Sequence, residues 1–365
     1  MKTMRAIGLR VGRVILNPPG LECVRTLCRR VRDNAPYLLL PIAVSASLAA
    51  DSRPLVIAHR GASGYLPEHT LAAKAYAHAL GADFLEQDLV LTKDDVPVVL
   101  HDIHLDTVTD VAQRFPERKR ADGRYYALDF TLAEVKQLRV TERFNPKTGA
   151  RVYAKRFPAG QSEFQISTLE EELQLIQGLN GSTGRSAGIY PEIKKPKWHR
   201  GQGHDISKIV LPILAHYGYA TKADACYVQC MELGEVRRIR GELGWRGQLI
   251  MLIETKAKAK GEDGTDHNAL CTPAAITELA TIVDGIGPAI ERVVTWSAAG
   301  QRHVTDLVKL AHAAKLVVHP FTIRIDEPPK NCPSADELHA ALFRGAGIDG
   351  VFTDFTDVTV AWLKK

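Results

Sequence analysis

Seven ionisable residues fall into three short stretches of the chain: His59 and Arg60, then Glu86, Asp88 and His101, then Glu192 and Lys194. Glu86 and Asp88 stand two apart in an apolar run that reads as a strand, so both carboxylates project to one face. Like charges held that close raise a pKa unless a cation sits between them. Glu192 adds a third oxygen ligand, and the trio suits one hard divalent ion, Ca²⁺ first and Mg²⁺ second. His59 and His101 flank the acids and suit the posts of general base and general acid, without a sign of which is which. Arg60 offers a planar fork and Lys194 a point charge to anionic oxygens. Together these groups fit in-line displacement at a phosphodiester. Each residue alone has an ordinary structural explanation, such as a core histidine or a salt-bridge network. As a set buried without purpose they would be costly, because each enclosed charge loses its hydration.

Something must bring the three stretches together. Leu55 to Ala58 reads as a buried strand, 70–80 as a helix stopped by Gly81, and 84–91 and 96–100 as two strand-like runs around the turn Thr92-Lys93-Asp94-Asp95. From residue 169 the alternation is regular. Helices are expected at 169–178, 203–217, 232–243, 272–281, 298–314, 335–345 and 357–363. Strands are expected at 187–193, 225–231, 247–253, 282–287, 315–322 and 348–353. Eight βα units imply a parallel sheet closed as a TIM (β/α)8 barrel, whose chemistry belongs at the C-terminal strand ends. His59, Glu86, Asp88 and Glu192 all fall there. Residues 103–165, rich in charge, proline and glycine with one helical piece at 131–139, read as an insertion after the second strand unit. No G-x-G-x-x-G follows the first strand and no P-loop occurs, which argues against a nucleotide fold.

The net charge of +5 is no sign of nucleic-acid binding, since eight of the 47 basic residues and only two of the 42 acidic ones lie within residues 1–50. There Arg29, Arg30 and Arg32 precede the apolar run Tyr37 to Ala46, which is too short to span a bilayer and suits a signal peptide. Residues 1–50 are therefore expected to be a leader cleaved near Ala50, and 51–365 a single exported domain. No stable membrane insertion is expected once the leader is gone. The paired arginines leave the export route open between the general and twin-arginine systems. Four cysteines in the mature chain are not a disulfide framework. Cys226 and Cys230 read as buried free thiols, and a Cys271–Cys332 bridge has no local support.

The runs HRGASGYLPEHT (59–70), EQDLVLTKDDVPVVLHD (86–102) and PEIK (191–194) resemble the glycerophosphodiester phosphodiesterase family. VHPFTIR (318–324) and GVFTDF (350–355) are similar to its exported, periplasmic bacterial members. The resemblance runs from about residue 54 to the end. It implies hydrolysis of a small-molecule glycerophosphodiester, such as glycerophosphocholine or glycerophosphoethanolamine, to glycerol 3-phosphate and an alcohol. It further implies His59 and His101 as the acid/base pair, a metal on Glu86, Asp88 and Glu192, and phosphate contacts from Arg60 and Lys194. Gln229 on the fourth strand and Trp296 after the sixth resemble substrate-pocket positions.

Other features are read more plainly. Gln87 stands where many members carry an acid, and its side chain is expected to point away from the ligands. Met231 replaces a common aromatic. Glu68 and His69 after the first strand read as polar loop residues; Glu68 either supports the site or is a helix-capping or solvated residue. The HDIH run (101–104) is not read as a zinc site, and Lys256 to Lys260 read as a solvated face. A homodimer is permitted. The alternatives are a phospholipase D-like or inositol-phosphodiester enzyme on the same barrel, a non-catalytic surface binding protein, and a metal-free glycosidase.

Overall fold

The computed structural model describes residues 53–365. The leader, with its arginine cluster and apolar run, lies outside the described residues. Eleven strands follow in chain order: β1 (Leu55–Ala58), β2 (Phe84–Leu91), β3 (Pro97–Val99), β4 (Gly188–Ile193), β5 (Tyr227–Cys230), β6 (Gln248–Ile253), β7 (Gly285–Pro288), β8 (Val294–Trp296), β9 (Arg302–Val304), β10 (Val317–Val318) and β11 (Gly350–Thr353). Eight of them are parallel, in the order β10-β7-β6-β5-β4-β2-β1-β11. The ring is completed where Asp349 N donates to Val318 O (3.1 Å) and Ile323 N donates to Phe352 O (2.8 Å). This is the expected TIM barrel. β3 folds back antiparallel on β2, so His101 is delivered by a hairpin on the barrel rim.

Local chemistry sets the helix ends. Thr70 caps the helix Leu71–Leu80 by accepting from Ala73 N, and Gly81, in the left-handed region at φ 100°, stops it. Thr168 and Glu171 form a capping box that starts the helix Leu169–Thr183. That helix runs five residues past its expected end, because Gly178 and Gly181 interrupt no packing and Gly184 is the residue that turns left-handed.

The two-residue side-chain period of the strands builds the site in layers. Phe84 and Tyr190 face inward with Ile57, Ile250 and Phe352 and form an apolar floor inside the barrel. The next inward positions, Glu86 and Asp88 on β2 and Glu192 on β4, therefore lie above that floor, toward the mouth. Asp88 pairs with Glu192, and Glu192 with Gln229, so one register row carries all three side chains. Outside the barrel, Leu85, Leu89, Ile189, Val228 and Val351 pack against the helices in the main core. The insertion has a separate core around Leu105, Phe130, Val135 and Leu138, which rests on Val90 and Val98. Besides the expected helical piece, seen at Leu132–Val135, the insertion contains a short helix at Val111–Arg114.

Three expected elements differ. The helix expected at 298–314 is the hairpin β8–β9 followed by a helix at Leu307–Ala313 only. Gly300, at φ 74°, turns Ser297 N–H back onto Gln301 O, and the β-branched Val304 and Thr305 favour extended backbone. The strand expected at 315–322 keeps only Val317–Val318 in the ladder. The helix expected at 335–345 turns from α to π geometry after His339. Cys226, Cys230, Cys271 and Cys332 are all free thiols. Among the described residues no helix is long and apolar enough to cross a membrane.

Two histidines that do not line the cavity at the barrel mouth are enclosed in neutral form. Burial lowers both His199 and His319 to about 4, against roughly 6.5 in an unfolded chain. The unfolded chain binds the extra protons between those values, so stability is full above about pH 6.5 and is lost as pH falls toward 4. The unfolding free energy from urea titration is expected to fall over that interval, by on the order of 3 kcal/mol for each imidazole. His319→Gln should flatten the fall.

Candidate active site

The three stretches of chemically able residues meet in one cavity of about 290 Å³ at the C-terminal ends of the strands. His59, Arg60, Glu86, Asp88, His101 and Glu192 line it, and Lys194 and Gln229 complete the wall. A tight turn after β1 delivers the first pair. Gly61 lies at φ 81°, and a Cβ there would meet the Ala73 carbonyl carbon at 2.8 Å, so the position requires glycine. Arg60 is itself left-handed, at φ 57°. This aims its backbone N–H at Glu86 Oε2, 2.6 Å away.

Each histidine is oriented by an aspartate. His59 Nδ1 lies 2.6 Å from Asp354 Oδ1, and His101 Nδ1 lies 2.8 Å from Asp102 Oδ1. In both, Nε2 is the atom left for chemistry. Asp354 also accepts from Arg156 (2.7 Å) and Arg324 (3.0 Å), while Asp102 accepts from Arg143 (2.6 Å). Burial, reinforced by Arg60, lowers both imidazoles to about 4. Their aspartates pull the other way and are outweighed, so both rings are neutral bases at pH 7.

The carboxylates respond to enclosure unequally. Burial and the charge of Asp88 push Glu86 well above the usual carboxylate range. Burial also raises Glu192, to about 7, against the pull of Lys194. Asp88 is equally buried, yet Lys194, His101 and His69 together hold it well below that range. Lys194 Nζ sits 2.8 Å from Glu192 and 3.4 Å from Asp88. Asp88 Oδ1 is buried and makes no hydrogen bond, and it is the atom that the Lys194 ammonium faces at 3.4 Å. Two carboxyl groups pushed toward neutrality beside Asp88 are what a divalent cation would satisfy, so a metal fits this cluster; the ligand atoms that lie within 4.8 Å of one another are those of Glu86, Asp88 and His69, with Glu192 outside that group.

Arg60 spends part of its fork on Glu68 (3.0 Å). Its Nε–H is buried and makes no hydrogen bond; it faces Asp88 Oδ2 at 3.6 Å, a charged donor that an anionic oxygen could engage. Gln229 reaches Glu86 Oε1 at 3.4 Å, and its own amide oxygen is buried and unpartnered.

Trp296 is the one expected site residue that the fold does not bring here. It lies on β8, outside the barrel sheet, with its indole N–H toward Glu337 at 3.4 Å. The hairpin that replaces the expected helix carries it away. Lys258, expected on a solvated face, lines the cavity instead. Glu68 is more than a loop residue, since it joins Arg60 to Arg143. Gln87 points outward as expected, its amide oxygen accepting from Tyr190 N. His104 packs on Tyr126 in the insertion.

Several partners had no signal in the sequence that could single them out. Asp354 and Arg156 are far from His59 in the chain. Arg143 lies in the insertion, where one arginine looks like any other. His69, next to Glu68, places Nε2 2.7 Å from Asp88 Oδ2, and its ring nitrogen lies with Glu86 and Asp88 in a group whose ligand atoms are all within 4.8 Å of one another. Removing Arg143 would leave Glu68 and Asp102 enclosed without their shared cation. Arg143→Met is expected to cost about 3 kcal/mol in urea unfolding and to lower turnover through the loosened His101.

Residues 59–358 match the model of the glycerophosphoryl diester phosphodiesterase family. The chain is 43% identical over 335 residues to a glycerophosphodiester phosphodiesterase of Haemophilus influenzae, covering 87% of this chain and 92% of that protein. It is 38% identical over 340 residues to one of Treponema pallidum, covering 88% and 96%. Solved structures share the fold. A putative enzyme of this name from Silicibacter pomeroyi superposes with a TM-score of 0.62 at 24% identity, covering 86% of this chain and 94% of that one. An Oleispira antarctica phosphodiesterase in complex with the product sn-glycerol-3-phosphate superposes at 0.58 and 20% identity, covering 86% and 98%. The chain belongs to the glycerophosphodiester phosphodiesterase family and is an enzyme of that class.

Proposed function

We propose that the enzyme hydrolyses glycerophosphodiesters such as glycerophosphocholine and glycerophosphoethanolamine to glycerol 3-phosphate and the free alcohol, with His59 and His101 as its acid/base pair. The observation that carries this reading is the pair of imidazoles facing one cavity, each held at Nδ1 by its own aspartate. Nδ1 must carry the proton it donates to aspartate, so each Nε2 faces the cavity as an acceptor. One ring takes a proton from the attacking oxygen. The other gives a proton to the leaving alkoxide, and a phosphodiester anion between them favours its charged form. Arg60 Nε and Lys194 hold the non-bridging oxygens in line for displacement. Glu86, Asp88 and Glu192 would hold one divalent ion, Ca²⁺ on this reading, which supplies Lewis-acid stabilisation of the phosphoryl charge when bound.

The charged lining of the cavity suits a deacylated head group. Among the described residues the large hydrophobic side chains that are exposed are Leu71, Tyr76 and Val152, three scattered positions too few to dock on a bilayer. This favours a soluble diester over an intact phospholipid. The leader is read as directing export to the periplasm, and the mature N-terminus of protein recovered from that compartment is expected near residue 51.

The deciding assay is glycerol 3-phosphate release by residues 51–365. Activity should vanish in EDTA and return with Ca²⁺ or Mg²⁺. His59→Ala and His101→Ala should each lower kcat by about 10²–10⁴ while the fold persists. No release from any glycerophosphodiester by a folded, metal-supplied sample would refute the reading.

A further inference from the structure

Two helices press a fully enclosed ion pair against the underside of the acidic cluster. Lys74 on the helix Leu71–Leu80 and Glu172 on the helix Leu169–Thr183 are both 0% exposed, with Nζ 3.0 Å from Oε2. Such a pair is a poor source of stability, because desolvation offsets most of the attraction. Its neighbours suggest another role. Lys74 also donates to the carbonyl oxygen of Glu86 and faces His69 Nδ1 at 3.4 Å. Ser167 ties the far side together by donating to Glu172 Oε1 at 2.9 Å.

The donors and acceptors leave His69 little choice. An ammonium donates only, so Nδ1 of His69 must accept. A proton on Nδ1 would set two donors against each other. The single N–H of the neutral ring is therefore on Nε2, and it points at Asp88 Oδ2, 2.7 Å away. Passing a proton from Lys74 to Glu172 changes nothing for His69, since the amine keeps two N–H groups for the Glu86 carbonyl and Nδ1. Asp88 Oδ2 is then committed to a hydrogen bond, and Oδ1, which makes none and has the Lys194 ammonium 3.4 Å away, is the atom open to a metal ion. Nε2, protonated, has no lone pair to give a metal, although it lies within ligand range of Glu86 and Asp88.

We infer that the buried Glu172–Lys74 pair is a positioning device, which fixes His69 as its Nε2–H tautomer so that the ring orients Asp88 and stays out of the metal's coordination shell. The site is thereby kept as an all-oxygen site for a hard cation, although a nitrogen donor lies next to it. This rests on the reading of Glu86, Asp88 and Glu192 as metal ligands.

Nuclear magnetic resonance of the mature chain with isotope-labelled histidine tests the tautomer directly. His69, assigned by its loss in His69→Leu, is expected as the Nε2–H form and without scalar coupling to bound cadmium. Replacing the pair with apolar residues, Lys74→Met with Glu172→Leu, should abolish the single tautomer and bring in cadmium coupling. By calorimetry that variant and His69→Leu should bind Ca²⁺ about 10-fold more weakly. His69→Gln, which keeps an N–H donor, should stay within a few-fold of the native protein. An Nδ1–H tautomer, cadmium coupling in the native protein, or native Ca²⁺ affinity in His69→Leu overturns the inference while leaving the catalytic reading intact. Failure of the native protein to bind any divalent ion refutes the metal reading itself. Should the double variant not fold, the native spectrum and the two His69 variants decide.

Discussion

Three carboxyl groups enclosed above an apolar barrel floor repel one another, and most of the polar architecture around them counters that repulsion. The Arg60 backbone N–H meets Glu86, Lys194 lies between Asp88 and Glu192, and His69 ties down Asp88. Even so, Glu86 and Glu192 remain pushed upward. The protein supplies enough positive charge to hold the cluster together and leaves a deficit that a divalent ion can fill.

Every cation drawn in this way needs an anion of its own, and the compensation spreads outward in alternating sign. Arg60 leans on Glu68, Glu68 on Arg143, and Arg143 on Asp102, which orients His101. On the opposite side Arg156 and Arg324 share Asp354, which orients His59. The insertion contributes Arg143 and Arg156 to these two chains. Its separate apolar core is thus a rigid mount for two cations as well as a flank of the cavity.

The barrel was legible in the sequence because eight apolar strand runs alternate with helical patterns, and the two-residue spacing of Glu86 and Asp88 told which face they share. The cluster was legible because charges inside apolar strands are costly and therefore conspicuous. What stayed hidden was of two kinds. Elements decided by a single turn were misread: Gly300 converts an alanine-rich stretch from helix to hairpin and takes Trp296 with it. Partners that meet only in the folded chain, such as Asp354 for His59, or Glu172 for Lys74, carry no local pattern, since their separation in sequence bears no relation to their separation in space.

The junction of β1 with β11 has a consequence for synthesis. The two strands pair in parallel, and Asp354, which orients His59, follows it by 295 residues. Gly64 sits so close to this junction that a Cβ would meet the Asp354 carbonyl oxygen at 2.8 Å. A nascent chain can order its helices and much of its sheet as it emerges, but His59 has no orienting partner until Asp354 has been synthesised. Partial chains that stop short of Asp354 would hold His59 unoriented. The order of translation itself thus delays assembly of the site until β11 has joined the ring.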